Sequence, residues 1–295
     1  MVRRGVLRES ACLFLWGHAD IYLRANYEAH EEKCRARTTF REKFRKLVVC
    51  RAIGRRLTFC GNMEENKIVG NSAGPVISFK EAEILNGETP VIYDLDLDVY
   101  PGDFVYIVGK VGTGKTSIIR TIIAENPLKK GFGEVCGYKL NGIRDKDIPY
   151  LRRKVGVVFQ DFQLLMDRSV RDNLEFVLKA TGWKDSQAME KRITEVLENV
   201  GMESKSHKMP HQLSGGEQQR IAIARSLLNN PDAIIADEPT GNLDNETADG
   251  IMKLLTGINR SQGTAVVMVT HNRAIFEHYP GRVMVCKDEA CHELK

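Results

Sequence analysis

Gly109-Lys-Val-Gly-Thr-Gly-Lys-Thr116 lies between an apolar run, Phe104-Val-Tyr-Ile-Val108, and a stretch with helical apolar spacing, Ser117-Ile-Ile-Arg-Thr-Ile-Ile-Ala124. Pro101-Gly-Asp marks a turn ahead of the run. Strand, glycine-rich turn and helix, in that order, is the context in which Gly-x-x-x-x-Gly-Lys-Thr cradles a phosphate chain. Gly109, Lys110, Val111, Gly112, Thr113 and Gly114 are expected to wrap the phosphates with their backbone N–H groups pointing inward. Lys115, Thr116 and Ser117 open the helix and add the positive end of its dipole. Lys115 supplies a point charge for the β- and γ-phosphates, and the Thr116 hydroxyl is a Mg²⁺ ligand.

Upstream, Val76–Phe79 and Val91–Val99 read as strands, with Asn86-Gly87 as the hairpin turn between them. Downstream, Val155–Phe159 reads as a strand ending at Gln160, and Val170–Ala180 and Ser186–Val200 as amphipathic helices. Leu213-Ser-Gly-Gly-Glu-Gln-Gln-Arg220 then leads into the helix Ile221–Leu228, which Asn229-Asn-Pro231 stops. Ala233–Ala236, Ala265–Val269 and Arg282–Cys286 are further apolar strands. Strands alternating with helices predict an α/β fold with a mainly parallel sheet, whose ligands gather at the carboxyl ends of the strands. Gln160, Asp237 and His271 all fall at such ends, as does the glycine-rich turn.

The 295 residues suffice for one large or two ordinary domains, and no apolar run approaches the length of a membrane span. The seven cysteines (12, 34, 50, 60, 136, 286 and 291) are scattered, with no Cys-x-x-Cys pair, which predicts reduced thiols rather than a disulfide framework or a zinc site. Residues 1–62 carry 14 Lys and Arg against 6 Asp and Glu, a net charge of +8, and the remainder carries −4. The basic balance therefore belongs to the N-terminal segment alone and gives no ground for a nucleic-acid partner. Residues 1–62 read as a basic tail or over-extended start, 63–75 as a linker, and 76–295 as the folded domain.

Transfer of a γ-phosphoryl group to water needs phosphate binding, Mg²⁺, a positioned water and charge stabilisation. Asp237 ends an apolar strand, where a carboxylate can reach Mg²⁺. Glu238 beside it is the candidate general base. Gln160 offers an amide oxygen to water or Mg²⁺, and His271 a ring nitrogen to the γ-phosphate. Ser214, Gly215 and Gly216 at a helix N-terminus form a second anion cradle about 100 residues away. A second copy of the chain could bring that cradle to the first copy's γ-phosphate, sandwiching two nucleotides in a two-fold dimer.

Six motifs in this order resemble ABC-type ATPase domains. Gly109–Thr116 resembles Walker A, Gln160 the Q-loop and Leu213–Gln218 the signature. Ala233–Glu238 resembles Walker B, Gly241-Asn-Leu-Asp244 the D-loop and His271 the H-loop. Val157-Val-Phe-Gln-Asp-Phe-Gln-Leu-Leu165 and Ala236-Asp-Glu-Pro-Thr-Gly-Asn-Leu-Asp244 look like the FtsE cell-division ATPases, cousins of the lipoprotein-release and macrolide-export ATPases, whose output is the alternative. The resemblance covers about Val76 to Cys286. It implies a P-loop NTPase fold with an antiparallel β subdomain and an α-helical subdomain at about 162–228. It also implies that the chain binds and hydrolyses ATP with Mg²⁺, that Asp244 lies at the nucleotide interface, and that ATP closes a homodimer. The partner implied is an integral membrane permease-like protein, FtsX, with this chain peripheral on the cytoplasmic face of the plasma membrane and the complex controlling cell-wall hydrolases. One departure concerns the base: the family places an aromatic residue between the first two strands, where this chain has Ile84-Leu85-Asn86, leaving Leu85 to offer apolar contact.

Overall fold

The computed structural model describes residues 74–294. The basic segment 1–62, and all of the expected linker except Gly74 and Pro75, lie outside the described residues. A six-stranded sheet of order β10-β9-β3-β8-β7-β6 forms the centre. Its strands are β3 (Phe104–Gly109), β6 (Val155–Val158), β7 (Ala233–Asp237), β8 (Ala265–Thr270), β9 (Arg282–Lys287) and β10 (Ala290–Glu293). All neighbours run parallel except β9 and β10. A second, antiparallel sheet has the order β2-β1-β4-β5, from β1 (Ile77–Asn86), β2 (Thr89–Val99), β4 (Phe132–Val135) and β5 (Tyr138–Lys139).

Strands of a parallel sheet are covered on both faces, so they read as continuous apolar runs rather than as alternation. Here each central strand divides its side chains by parity between two cores. Tyr106, Ile234, Ala236, Val266 and Met268 enter one core, and Val105, Ile107, Ile235, Val267 and Val269 the other. The first core is closed by α3 (Val170–Ala180), α4 (Ser186–Asn199), α5 (Gly215–Leu227) and α6 (Asn245–Gln262). The second is closed by β1, β2, α1 (Lys115–Ile122) and Leu151 of α2 (Ile148–Lys154). Each fully buried Val, Leu or Ile contributes about 1.5–3 kcal/mol, which fixes the strand ends rigidly enough to hold polar side chains in register.

The helical subdomain follows β6. Asn173 on α3 is 3% exposed and joins it to the preceding loop: its amide donates to the carbonyls of Leu165, Arg168 and Ser169, and its Oδ1 accepts from the Leu165 N–H. A short helix, α7 (Arg273–His278), follows β8. Among the described residues no helix is long and apolar enough to cross a membrane.

The elements differ from the sequence expectation in several places: β4, β5, α2, α6 and α7 are not among the expected elements, and α5 begins at Gly215, ahead of Ile221. β1 runs to Asn86 instead of stopping at Phe79, because a bulge with Glu81 at φ 47° breaks the alternation partway. The chain also adds β10 after the expected last strand, turning back through Asp288 and Glu289.

Candidate active site

β6, β7, β8 and β3 are adjacent and parallel, so the residues at their carboxyl ends share one rim of the sheet. On that rim the loop 109–114 turns from β3 into α1. Gly114 has φ 86°, a left-handed conformation that side-chain-bearing residues avoid. Gly109 is confined differently, since a Cβ there would lie 2.4 Å from the Cys286 carbonyl oxygen on β9. Lys115 is 6% exposed, and its Nζ donates to the carbonyls of Gly109 (2.9 Å) and Lys110 (2.8 Å). The ammonium is thus folded back onto its own loop, which holds the loop curled and keeps a buried charge satisfied. Ser117 is also buried, and Val111 is exposed.

Thr116, at the start of α1, lies beside the Asp237 carboxyl at the end of β7. Burial raises that carboxyl above the usual carboxylate range; the Thr116 hydroxyl opposes the rise, and neighbouring Glu238 adds to it. Glu238 has φ 46°, sparsely populated for a residue with a side chain. Two backbone bonds hold it there: its N–H donates to the Val269 carbonyl at 3.0 Å, and its carbonyl accepts from the Gly241 N–H at 3.0 Å. The strained backbone turns the Glu238 carboxylate to His271, with Oε2 2.9 Å from Nδ1. The structure therefore sets Thr116 beside Asp237 and pairs Glu238 with His271, at neighbouring strand ends.

The sequence model of the ABC transporter family matches residues 92–241. Among curated proteins, the cell division ATP-binding protein FtsE of Bacillus subtilis is 47% identical over 194 residues, spanning 66% of this chain and 84% of that protein. That of Streptococcus pneumoniae is 45% identical over 203 residues, spanning 69% and 87%. This chain is an ABC-type ATPase of the FtsE family. Its fold also superposes on the dimeric structure of MJ0796, a bacterial ABC transporter cassette, with a TM-score of 0.64, 33% identity, and coverage of 74% of this chain and 99% of that one. ATP binding and hydrolysis come with the family.

Several of the predicted site residues of this FtsE-family chain have partners within the chain itself. The Gln160 amide does not point freely into the rim: its Nε2 donates to Asn242 Oδ1, and Asn242 Nδ2 donates to the Gln160 carbonyl, each at 3.2 Å. Asp244 caps α6, accepting from the Thr247 N–H at 3.0 Å and the Thr247 hydroxyl at 2.6 Å. Ser214 caps α5 in a reciprocal box: its Oγ accepts from the Glu217 N–H, and its own N–H donates to Glu217 Oε2. Gly215 and Gly216 face Leu243, Phe162 and Thr247 of the same chain, and a Cβ on Gly216 would sit 2.3 Å from Thr247 Cγ2. The sequence leaves Leu85 to offer a base apolar contact, but Leu85 is 2% exposed and presents no free apolar surface.

Sequence reasoning passed over Asn242, Thr247 and Arg225. Arg225 donates from Nη2 to the Phe162 carbonyl at 2.9 Å and from Nη1 to the Gln163 carbonyl. Phe162 and Gln163 have φ 58° and 48°, so the guanidinium pins two left-handed residues directly after the Gln160 loop. The visible signal is a lone arginine inside the apolar run Ile221-Ala-Ile-Ala-Arg225-Ser-Leu-Leu228. Arg225→Met leaves both carbonyls without their partner. It should lower unfolding stability by about 3 kcal/mol, read from urea midpoints, with Arg225→Lys recovering part. An unchanged midpoint would show that the pinning does not matter to stability.

Proposed function

We propose that this ATPase drives a membrane complex in which ATP closes a homodimer and hydrolysis reopens it. The observation that carries the chemistry is the pairing of Thr116 with Asp237 beside Glu238 with His271 on one rim. The nearby oxygen donors, a hydroxyl and a carboxylate, suit a hard cation such as Mg²⁺. Among the described residues no cluster of three or more His, Cys, Asp or Glu forms a cage, which fits a cation that takes its remaining oxygens from water and nucleotide. Thr116 and Asp237 would hold it, with Gln160 joining once released from Asn242. When bound, Mg²⁺ neutralises phosphate charge.

In this reading the backbone N–H groups of 109–114 and the Lys115 ammonium bind the phosphates, Lys115 exchanging its two carbonyl partners for phosphate oxygens. Glu238 accepts the proton of the attacking water, while His271 fixes the carboxylate's direction and meets the γ-phosphate. Ser214, Gly215 and Gly216 of the second copy complete the phosphate shell, and Asp244 lies at that interface.

The FtsE relatives are cell-division proteins by name. On that likeness the partner is an FtsX-type integral membrane protein, the location is the cytoplasmic face of the plasma membrane, and the output is control of cell-wall hydrolysis. The ATPase domain is then 76–295, with 1–62 as an extension outside it. Affinity purification of the full chain from membranes with ATP should recover a four-helix FtsX-like protein. Recovery instead of a larger permease with a different extracytoplasmic domain would favour the lipoprotein-release or macrolide-export alternative.

A further inference from the structure

β9 and β10 form a hairpin through Asp288 (φ 50°) and Glu289 (φ 60°), both left-handed as a two-residue type I′ turn requires. Its register places Cys286 opposite Cys291. The Leu294 N–H donates to the Val283 carbonyl, so that pair is hydrogen-bonded. Hydrogen-bonded and non-hydrogen-bonded pairs alternate along an antiparallel ladder, which makes Cys286–Cys291 a non-hydrogen-bonded pair. Such pairs have the nearer Cα atoms, about 4.5 Å apart, inside the range of about 4.4–6.8 Å that a disulfide spans. The two sulfurs lie 2.7 Å apart. Both residues are free cysteines and both are buried.

The pair sits beside two parts of the site wall. Cys286 is level with Gly109 in the β3–β9 ladder, and its carbonyl oxygen fills the space a Gly109 Cβ would need. At the hairpin tip, the Glu289 carbonyl accepts from the Tyr93 N–H of β2 at 2.8 Å, linking the central sheet to the antiparallel one. β10 is an edge strand and Leu294 at its end is exposed, so local opening of this edge gives solutes access to the thiols.

We propose that Cys286 and Cys291 are a reversible disulfide site that responds to hydroperoxides and fastens the β9–β10 hairpin behind the phosphate cradle. Cys286 is the attacking sulfur. Either sulfur can donate across the contact, and the Lys115 charge on the Cys286 side favours the Cys286 thiolate while burial opposes it. The Cys286 thiolate displaces ROH from ROOH, with one proton taken up, and becomes a sulfenic acid. The Cys291 sulfur then attacks that sulfur, the S–S bond forms, and hydroxide leaves with the Cys291 proton as water. Two thiols are oxidised and one peroxide is reduced. The remaining described cysteine, Cys136, has no cysteine partner among the described residues, and burial pushes its thiol up to about 12.

Full-length protein is treated with hydrogen peroxide and analysed by peptide mass spectrometry and backbone hydrogen exchange. The expected result is a Cys286–Cys291 cross-linked peptide that dithiothreitol reverses, with at least threefold slower exchange at the hairpin amides and at Tyr93. Cys291→Ser, and Cys291→Ala as a second variant that keeps a small apolar group, should lose the cross-link and the slowing together. Stable sulfinic acid at Cys286 without a disulfide would overturn the proposal. So would cross-links that join either cysteine to Cys12, Cys34, Cys50 or Cys60 instead, or slowed exchange that persists in both variants.

Discussion

Glu238→Gln should remove steady-state ATP turnover by a factor of about 10²–10⁴ while leaving ATP binding in place. Gln keeps the size and the hydrogen-bonding reach of the side chain but cannot accept the water's proton. Its amide can still contact His271, so the strained backbone at φ 46° and the two bonds that hold it need not change. ATP should then accumulate unhydrolysed and hold the closed dimer. Phosphate release measures the first effect, and size-exclusion chromatography with ATP the second. Wild-type turnover in this variant would remove Glu238 from the role of general base. A persistent monomer with nucleotide shown to be bound would count against the two-fold sandwich.

Asp237→Asn should have opposite effects on the empty and the loaded protein. The Asp237 carboxyl titrates above its unfolded value, chiefly because of burial. Between the unfolded and folded values the native state binds more protons than the unfolded chain, so stability falls as pH rises through that window. Above the folded value the penalty is complete. Asn removes that charge and keeps an acceptor for the Thr116 hydroxyl, so the melting temperature of the empty protein should rise. Stabilisation by Mg²⁺ with ATP should shrink sharply, because the cation loses its anionic ligand. In the wild type, lowering the pH through the folded Asp237 value should weaken Mg²⁺-dependent ATP binding, since proton and cation compete for one carboxylate. Thermal melts of both proteins with and without Mg²⁺ and ATP check each part. A lower melting temperature for empty Asp237→Asn would refute the burial argument.

The rim of the sheet was legible because it depends on local signals of the strongest kind. Three apolar runs each end in a polar residue, and a glycine-rich turn joins a strand to a helix; all four features landed on adjacent parallel strands. The hairpin turn at Asn86-Gly87 was legible for the same reason, and the structure puts Gly87 at φ 63° there. The full length of β1 was not, because the bulge at Glu81 breaks the period that marks a strand. β5 has two residues and β10 four, too short for a periodic pattern to emerge. Within the site, residue types were legible but pairings were not. Gln160 meets Asn242 across 82 positions of sequence. Asp244 turned out to cap a helix because Thr247 lies three residues on, a pattern that serves a cap and a nucleotide interface equally well.

Gly216 bears on how this sequence can change over generations. Only a hydrogen fits between it and the Thr247 methyl, and Thr247 is also the residue whose N–H and hydroxyl Asp244 holds. A larger side chain at 216 requires a smaller one at 247, and a smaller one there gives up the hydroxyl or the methyl that Asp244 and Gly216 each meet. A side chain at 216 would have to push Thr247 aside, and moving Thr247 would disturb its bonds to Asp244, so substitutions at 216, 244 and 247 act on one another through the packing of α5 against α6.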